Sequence, residues 1–171
     1  MTGPTPLNIV SNRALETIPD AMAHAGSTVI ASSLDDVARA LHLQASRPRA
    51  AALAVNLVGH STRDHQLLRL GSTTIDMLDL GVRRFFEAIA RRGILRDLDA
   101  VCVRLLGCET ARSPSGRRTM RLLAAVLDLP VYGTSKRLSR MHNTEFGFDP
   151  AFQHVLVEAA PRRAPWLLAP A

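Results

Sequence analysis

A chain of 171 residues, 47% hydrophobic and 21% charged, is long enough to bury one full core and has the ordinary balance of a single globular domain. No apolar run reaches the roughly 20 residues a membrane helix needs, and two cysteines, Cys102 and Cys108, are too few for a disulfide framework. The net charge of +6 comes from arginines spread over many segments, with Lys136 the sole lysine, and 4% aromatic residues provide no stacking platform, so a solvated surface is expected rather than a nucleic-acid interface.

The start, Met1-Thr2-Gly3-Pro4, has neither a basic n-region nor an apolar h-region, which sets the expectation of a reduced, cytoplasmic chain. Residues 1–26 mix Pro4, Pro6 and Pro19 with the short apolar piece Leu7-Asn8-Ile9-Val10, and read as an edge strand or a docked arm of one domain spanning 1–171. Ser27 to Ala31 reads as a strand. Ser33, followed by Asp35 and Asp36, looks like a capped helix start leading into Val37, Leu41 and Leu43. Arg47-Pro48-Arg49 breaks that helix, and Ala51 to Val58 is the next buried strand, ending at Gly59-His60.

After that strand, His65 to Gly71 and Thr73 to Asp76 predict a small hairpin or flap around Gly71. Val82, Phe85, Phe86, Ile89 and Ala90 recur at helical spacing up to Arg92, and Gly93 is a stop signal. A second buried strand, Val101 to Leu106, ends at Gly107-Cys108, and Ser113-Pro114-Ser115-Gly116 leads into a helix from Arg117 to about Leu127. Leu129 to Thr134 predicts another short strand and turn, Arg140 to Thr144 a polar loop, Phe152 to Val157 a last strand, and 161–171 a tail. The alternation predicts an α/β three-layer sandwich around a mostly parallel sheet of four to six strands.

Two strand ends thus carry chemistry. In an open parallel sheet, groups just past the carboxyl ends of two strands share one crevice, so His60 and Cys108 can meet across 48 residues of sequence. Cys102, within the strand, is expected to pack, and only Cys108 lies beyond the strand end. Asn56-Leu57-Val58-Gly59-His60-Ser61 followed by Val103-Arg104-Leu105-Leu106-Gly107-Cys108-Glu109-Thr110-Ala111 resembles the caspase-like peptidases, and the Cys block is most similar to their bacterial CHAT-type branch. The resemblance covers roughly the middle half of the chain. Ser61 stands where that family commonly has glycine.

The resemblance implies a cysteine endopeptidase in which Cys108 attacks a peptide carbonyl and His60 protonates the leaving amine, often without a direct hydrogen bond between the two. A thiolate is the nucleophile, and an imidazole favours it. Backbone N–H groups beside Gly59 and at Cys108 are the candidate oxyanion donors, although a strand-end glycine equally often just permits a turn. Asp64, Glu109, Arg112 and Lys136 are candidate substrate contacts. For Asp64 the competing reading is a solvated turn, and for Glu109 a helix-dipole interaction. The expected partner is a protein or peptide substrate, with a regulatory protein partner also open, and no cofactor or metal is expected. Alternatives in other classes are a catalytically silent protein-interaction module and, on charge alone, a nucleic-acid binder. Gly59-His60-Ser61-Thr62-Arg63 fails as a serine-hydrolase elbow because Arg63 stands where glycine is needed. The six histidines show no zinc spacing, and Gly133-Thr134-Ser135-Lys136 lacks the upstream glycine of a phosphate loop.

Overall fold

The computed structural model describes residues 4–47 and 51–161. Proline 48 and arginine 49, expected to break a helix, and nearly all of the expected tail lie outside the described residues. In chain order the elements are β1 (Thr5–Ser11), a 3-10 turn (Leu15–Thr17), α1 (Asp20–Ala23), β2 (Thr28–Ala31), α2 (Leu34–Ala45), β3 (Leu53–Val58) and the short antiparallel strands β4 (His60–Ser61), β5 (Leu68–Leu70) and β6 (Thr73–Thr74). There follow α3 (Leu80–Arg91), α4 (Ile94–Asp97), β7 (Ala100–Leu106), α5 (Pro114–Leu127), β8 (Val131–Thr134), a 3-10 turn (Arg140–His142), the hairpin β9 (Asn143–Thr144) and β10 (Gly147–Phe148), a 3-10 segment (Pro150–Val155) and β11 (Leu156–Ala159).

Six strands form the central sheet in the order β11-β8-β7-β3-β1-β2, and every pairing is parallel except that of β11 with β8. The fold is therefore α/β with a mixed, mostly parallel sheet. Residues 5–11 correct the expectation of an arm or edge strand: β1 is interior, between β2 and β3, because Leu7 and Ile9 face one side of the sheet and Val10 the other, all buried. The edges are β2 and β11. The last strand also starts later than expected, at Leu156, because Pro150 and the Asp149 side chain, which accepts from Ala151 N–H at 2.9 Å, turn the preceding residues into a 3-10 segment. The expected loop at Arg140–Thr144 instead holds a 3-10 turn and the first strand of a hairpin.

Helix starts follow the sequence signals. Ser33 accepts from Asp36 N–H, Asp79 from Gly81 and Val82 N–H, and Ser113 from Gly116 N–H, with Pro114 in the first turn where its missing N–H costs nothing. Asp79 starts α3 two residues earlier than the apolar spacing alone indicates, and Gly93, at φ 67°, ends it. Among the described residues no helix is long and apolar enough to cross a membrane.

The two faces of the sheet are unequal. Leu7, Ile9, Val55, Leu57, Val103, Leu105 and Val131 join the buried residues of α2, α3, α4 and α5 in one large core. Val10, Val58 and Leu106, in register across three strands, form a smaller core on the other face with Ile18, Met22, Phe148 and Val155. All the longer helices thus cover one face, and the other carries short turns and a hairpin. That second face also bears a polar row in register across all six strands: Thr28, Asn8, Asn56, Arg104, Tyr132 and Glu158. Asn56 Nδ2 donates to Asn8 Oδ1 at 2.8 Å, Asn8 Nδ2 to Phe146 O at 3.0 Å, and Tyr132 OH to Glu158 Oε2 at 3.0 Å.

Candidate functional site

The ends of β3 and β7 lie side by side. Val58 is in register with Leu106, Gly59 N–H donates to Leu106 O at 3.2 Å, and a Cβ built on Gly107 would meet Ser61 Oγ at 2.6 Å. His60 and Cys108 therefore leave the sheet at the same end, one residue beyond adjacent glycines. Cys102 is buried within β7, as its strand position predicts, and its burial pushes the thiol up. Cys108 is half-buried.

No hydrogen bond joins the two side chains. His60 Nε2 lies 2.6 Å from Glu16 Oε1, and Cys108 Sγ donates to Leu138 O at 3.7 Å. Glu16 stands in the 3-10 turn after β1, and its carboxyl is held below the ordinary range, first by a backbone hydrogen bond at Glu16 and next by the His60 imidazole. The two partner loops are tied together. Arg140 Nε donates to Ile18 O at 2.9 Å and its Nη2 to Asp20 Oδ1 at 2.7 Å, while Ile18 and Leu138 both pack in the smaller core. One loop thus holds the partner of His60 and the other the partner of Cys108.

The Cys108 turn is fixed from β8. Thr134 Oγ1 donates to Gly107 O, Thr110 N–H donates to Thr134 Oγ1 at 3.3 Å, Thr134 N–H donates to Thr110 Oγ1 at 2.9 Å, and Thr110 Oγ1 donates to Leu105 O at 2.8 Å. Ala111 N–H adds a bond to Thr134 O. Glu109, directly after the thiol, is left-handed at φ 59°, a conformation that costs a non-glycine residue roughly 1–2 kcal/mol and that clusters at functional sites. Gln66 in the His loop is left-handed too, at φ 53°. The two loops are joined by Gln66 Nε2 to Glu109 Oε2 at 3.4 Å and by Ser113 Oγ to His65 O at 2.5 Å.

These contacts change several expected roles. Gly59 N–H is committed to Leu106 O, so it is not free for an oxyanion; its glycine is required instead because a Cβ would lie 2.1 Å from Arg69 O. Among the described residues Cys108 N–H has no such backbone acceptor. Glu109, its side chain 16% exposed, is a brace between the loops and an ion-pair partner of the exposed Arg112. Lys136 is exposed and holds the site through its carbonyl, which accepts from Glu109 N–H at 3.0 Å. Asp64 is exposed and lines a cleft of about 640 Å³ with Thr62, His65, Asp76 and Asp79 that touches neither His60 nor Cys108.

Sequence reasoning missed Glu16, Arg13, Arg69, Thr110 and Thr134. Ser11, Arg13, His60, Arg69 and Gly71 line a small cavity of about 50 Å³, and Arg69 is the antiparallel partner of His60. Arg13 and Glu16 were out of reach because nothing in the order of residues shows that the loop after β1 bends over the end of β3. Among the described residues no group of three or more His, Cys, Asp or Glu side chains is placed to hold a metal ion. The fold and site define an α/β domain that presents an imidazole with a carboxylate partner, and a free thiol, at the carboxyl ends of adjacent parallel strands. No family model matches the chain, and no curated protein matches it.

Proposed function

We propose that the chain is a cysteine endopeptidase of caspase-like type in which Cys108 is the nucleophile and His60 the proton carrier. The observation that carries this reading is the emergence of both residues from neighbouring parallel strands at one end of the sheet, on turns braced to each other. Open parallel sheets bind ligands at that end. In the reaction, Cys108 Sγ passes its proton to His60 and bonds the peptide carbonyl carbon. The C–N bond breaks as the imidazolium gives that proton to the leaving amine. Water then bonds the acyl carbon, its proton going to the imidazole and on to sulfur as the thiol is released. The free N–H of Cys108 is the backbone donor best suited to the developing oxyanion.

Arg13 and Arg69, flanking His60, favour an acidic side chain next to the scissile bond. Asp64, Asp76 and Asp79 suit a basic one, but their cleft does not touch the dyad. A peptide library decides: strong preference for arginine or lysine assigns selectivity to the acidic cleft and overturns the assignment to Arg13 and Arg69.

A second reading, a catalytically silent interaction module, is favoured by one observation: the Cys108 thiol is engaged with Leu138 O rather than with His60. A thiol-reactive peptide probe separates the two. Rapid labelling of Cys108 that is lost in His60→Ala supports the peptidase; slow labelling indifferent to His60 supports the module.

A further inference from the structure

Only one side chain in the described structure bonds the His60 ring, and it comes from a loop 44 residues away. That loop is not a loose tether. Ala14 and Ile18, on either side of Glu16, are fully buried, Thr17 Oγ1 donates to Ala14 O at 2.6 Å, and Arg140 and Asn143 bond the carbonyls of Ile18 and Thr17 at 2.9 and 3.5 Å. A rigid turn therefore presents an exposed carboxylate to an exposed imidazole. An ionised carboxylate only accepts, so Nε2 must be the donor and must carry the hydrogen. In the neutral ring Nδ1 then holds the lone pair.

We propose that Glu16 is a positioning residue that fixes the tautomer and orientation of His60 through Nε2–H, so that Nδ1 is the nitrogen that takes the Cys108 proton and hands it to the leaving amine. This deepens the peptidase reading and rests on it. An imidazole free to rotate about its side-chain torsions would offer the wrong nitrogen part of the time, and the carboxylate removes that alternative. Because Glu16 is exposed, its charge contributes far less than a buried partner would, and its effect is geometric before it is electrostatic.

The test reads the ring directly. In full-length protein carrying Cys108→Ala and ¹⁵N-histidine, with His60 assigned by signal loss in His60→Ala, the neutral His60 ring is expected as the Nε2–H form. Glu16→Ala should give a mixture of tautomers, and Glu16→Gln, whose amide oxygen still accepts, should restore the Nε2–H form. A wild-type Nδ1–H form, or a spectrum unchanged in Glu16→Ala, overturns the proposal. With Cys108 intact, Glu16→Ala should lower kcat roughly tenfold with KM unchanged, well short of the roughly 10²–10⁴-fold that general acid–base catalysis contributes as a whole. If the wild-type chain cleaves no peptide, the peptidase reading fails while the spectra still decide what Glu16 does to the ring.

Discussion

Thr134→Val replaces one hydroxyl by a methyl, yet it removes two of the bonds that hold the Cys108 turn to β8. Thr134 is fully buried, and its hydroxyl donates to Gly107 O and accepts from Thr110 N–H. Valine fills the same space but leaves a buried carbonyl and a buried N–H without that partner. Each such orphan costs about 1–3 kcal/mol, so the expected loss is near 3 kcal/mol, out of the roughly 5–15 kcal/mol typical of a folded domain. For a chain of this size that corresponds to a Tm lower by about 6–12 °C. Urea titration followed by circular dichroism should show a lower midpoint with an unchanged slope, the sign of lost stability without a changed unfolded state. Because Gly107 and Thr110 bracket Cys108, labelling of the thiol by a peptide probe should also slow, and Thr110→Val should be non-additive with Thr134→Val in a double-mutant cycle. A Thr134→Val protein within about 0.5 kcal/mol of wild type, the ordinary range for neutral surface changes, would refute the reasoning.

Further outcomes follow from the same geometry. Cys108→Ala and His60→Ala should abolish peptide cleavage without lowering Tm, whereas Cys102→Ala, truncating a buried side chain, should cost about 1 kcal/mol and spare turnover; equal loss of turnover in Cys102→Ala would contradict the assignment. Gly59→Ala drives a Cβ into Arg69 O and should destabilise by about 1–3 kcal/mol or more, while Gly26→Ala, with nothing within 4 Å, should be neutral or stabilising by about 0.4–1 kcal/mol in the same denaturation assay. The Asp36 carboxyl is held down to about 2 by the Ser32 hydroxyl, the Ser32 backbone N–H, Ser33 and Arg39. A lowered carboxyl pKa stabilises the fold above the unfolded value near 3.9 and loses that contribution as pH falls through about 2, so amide protection at the start of α2, taken relative to intrinsic exchange at each pH, should fall across that window in wild type and be unchanged in Asp36→Asn.

Much of the architecture was legible in local signals. Ser33, Asp79 and Ser113 cap helices at or within a few residues of where sequence spacing starts them, and the run of β3, apolar but for Asn56, reads as a strand buried on both faces. Gly59 and Gly107 marked the two strand ends that carry His60 and Cys108. What stayed hidden depends on strand order. β1 looked like an arm because three prolines interrupt residues 1–26, and only its pairing with both β2 and β3 makes it interior. Glu16 and Arg13 reach His60 through that same placement, and Arg69 through the pairing of β5 with β4. Glu109 and Arg112 are candidates for substrate contact because both follow the thiol in sequence; the left-handed turn at Glu109 and its bonds to Gln66 and Arg112 have no signal in that order.

The polar row on the second face has a consequence for how this sheet finds its alignment. Side chains alternate between faces along each strand, so a slip of one residue between β3 and either neighbour would swing Asn8, Asn56 or Arg104 into the helix-covered core and turn Ile9, Leu57 or Leu105 towards the thinner side. Burying one amide without a partner costs about 1–3 kcal/mol on mutational scales, and a guanidinium more. Neighbouring strands in this sheet are joined by long crossovers or loops, so no tight hairpin fixes their offset. Matched asparagines on β1 and β3, with an arginine beside them on β7, make the misaligned pairings unfavourable, and His60 and Cys108 leave the sheet at the same level only when β3 and β7 stop in register.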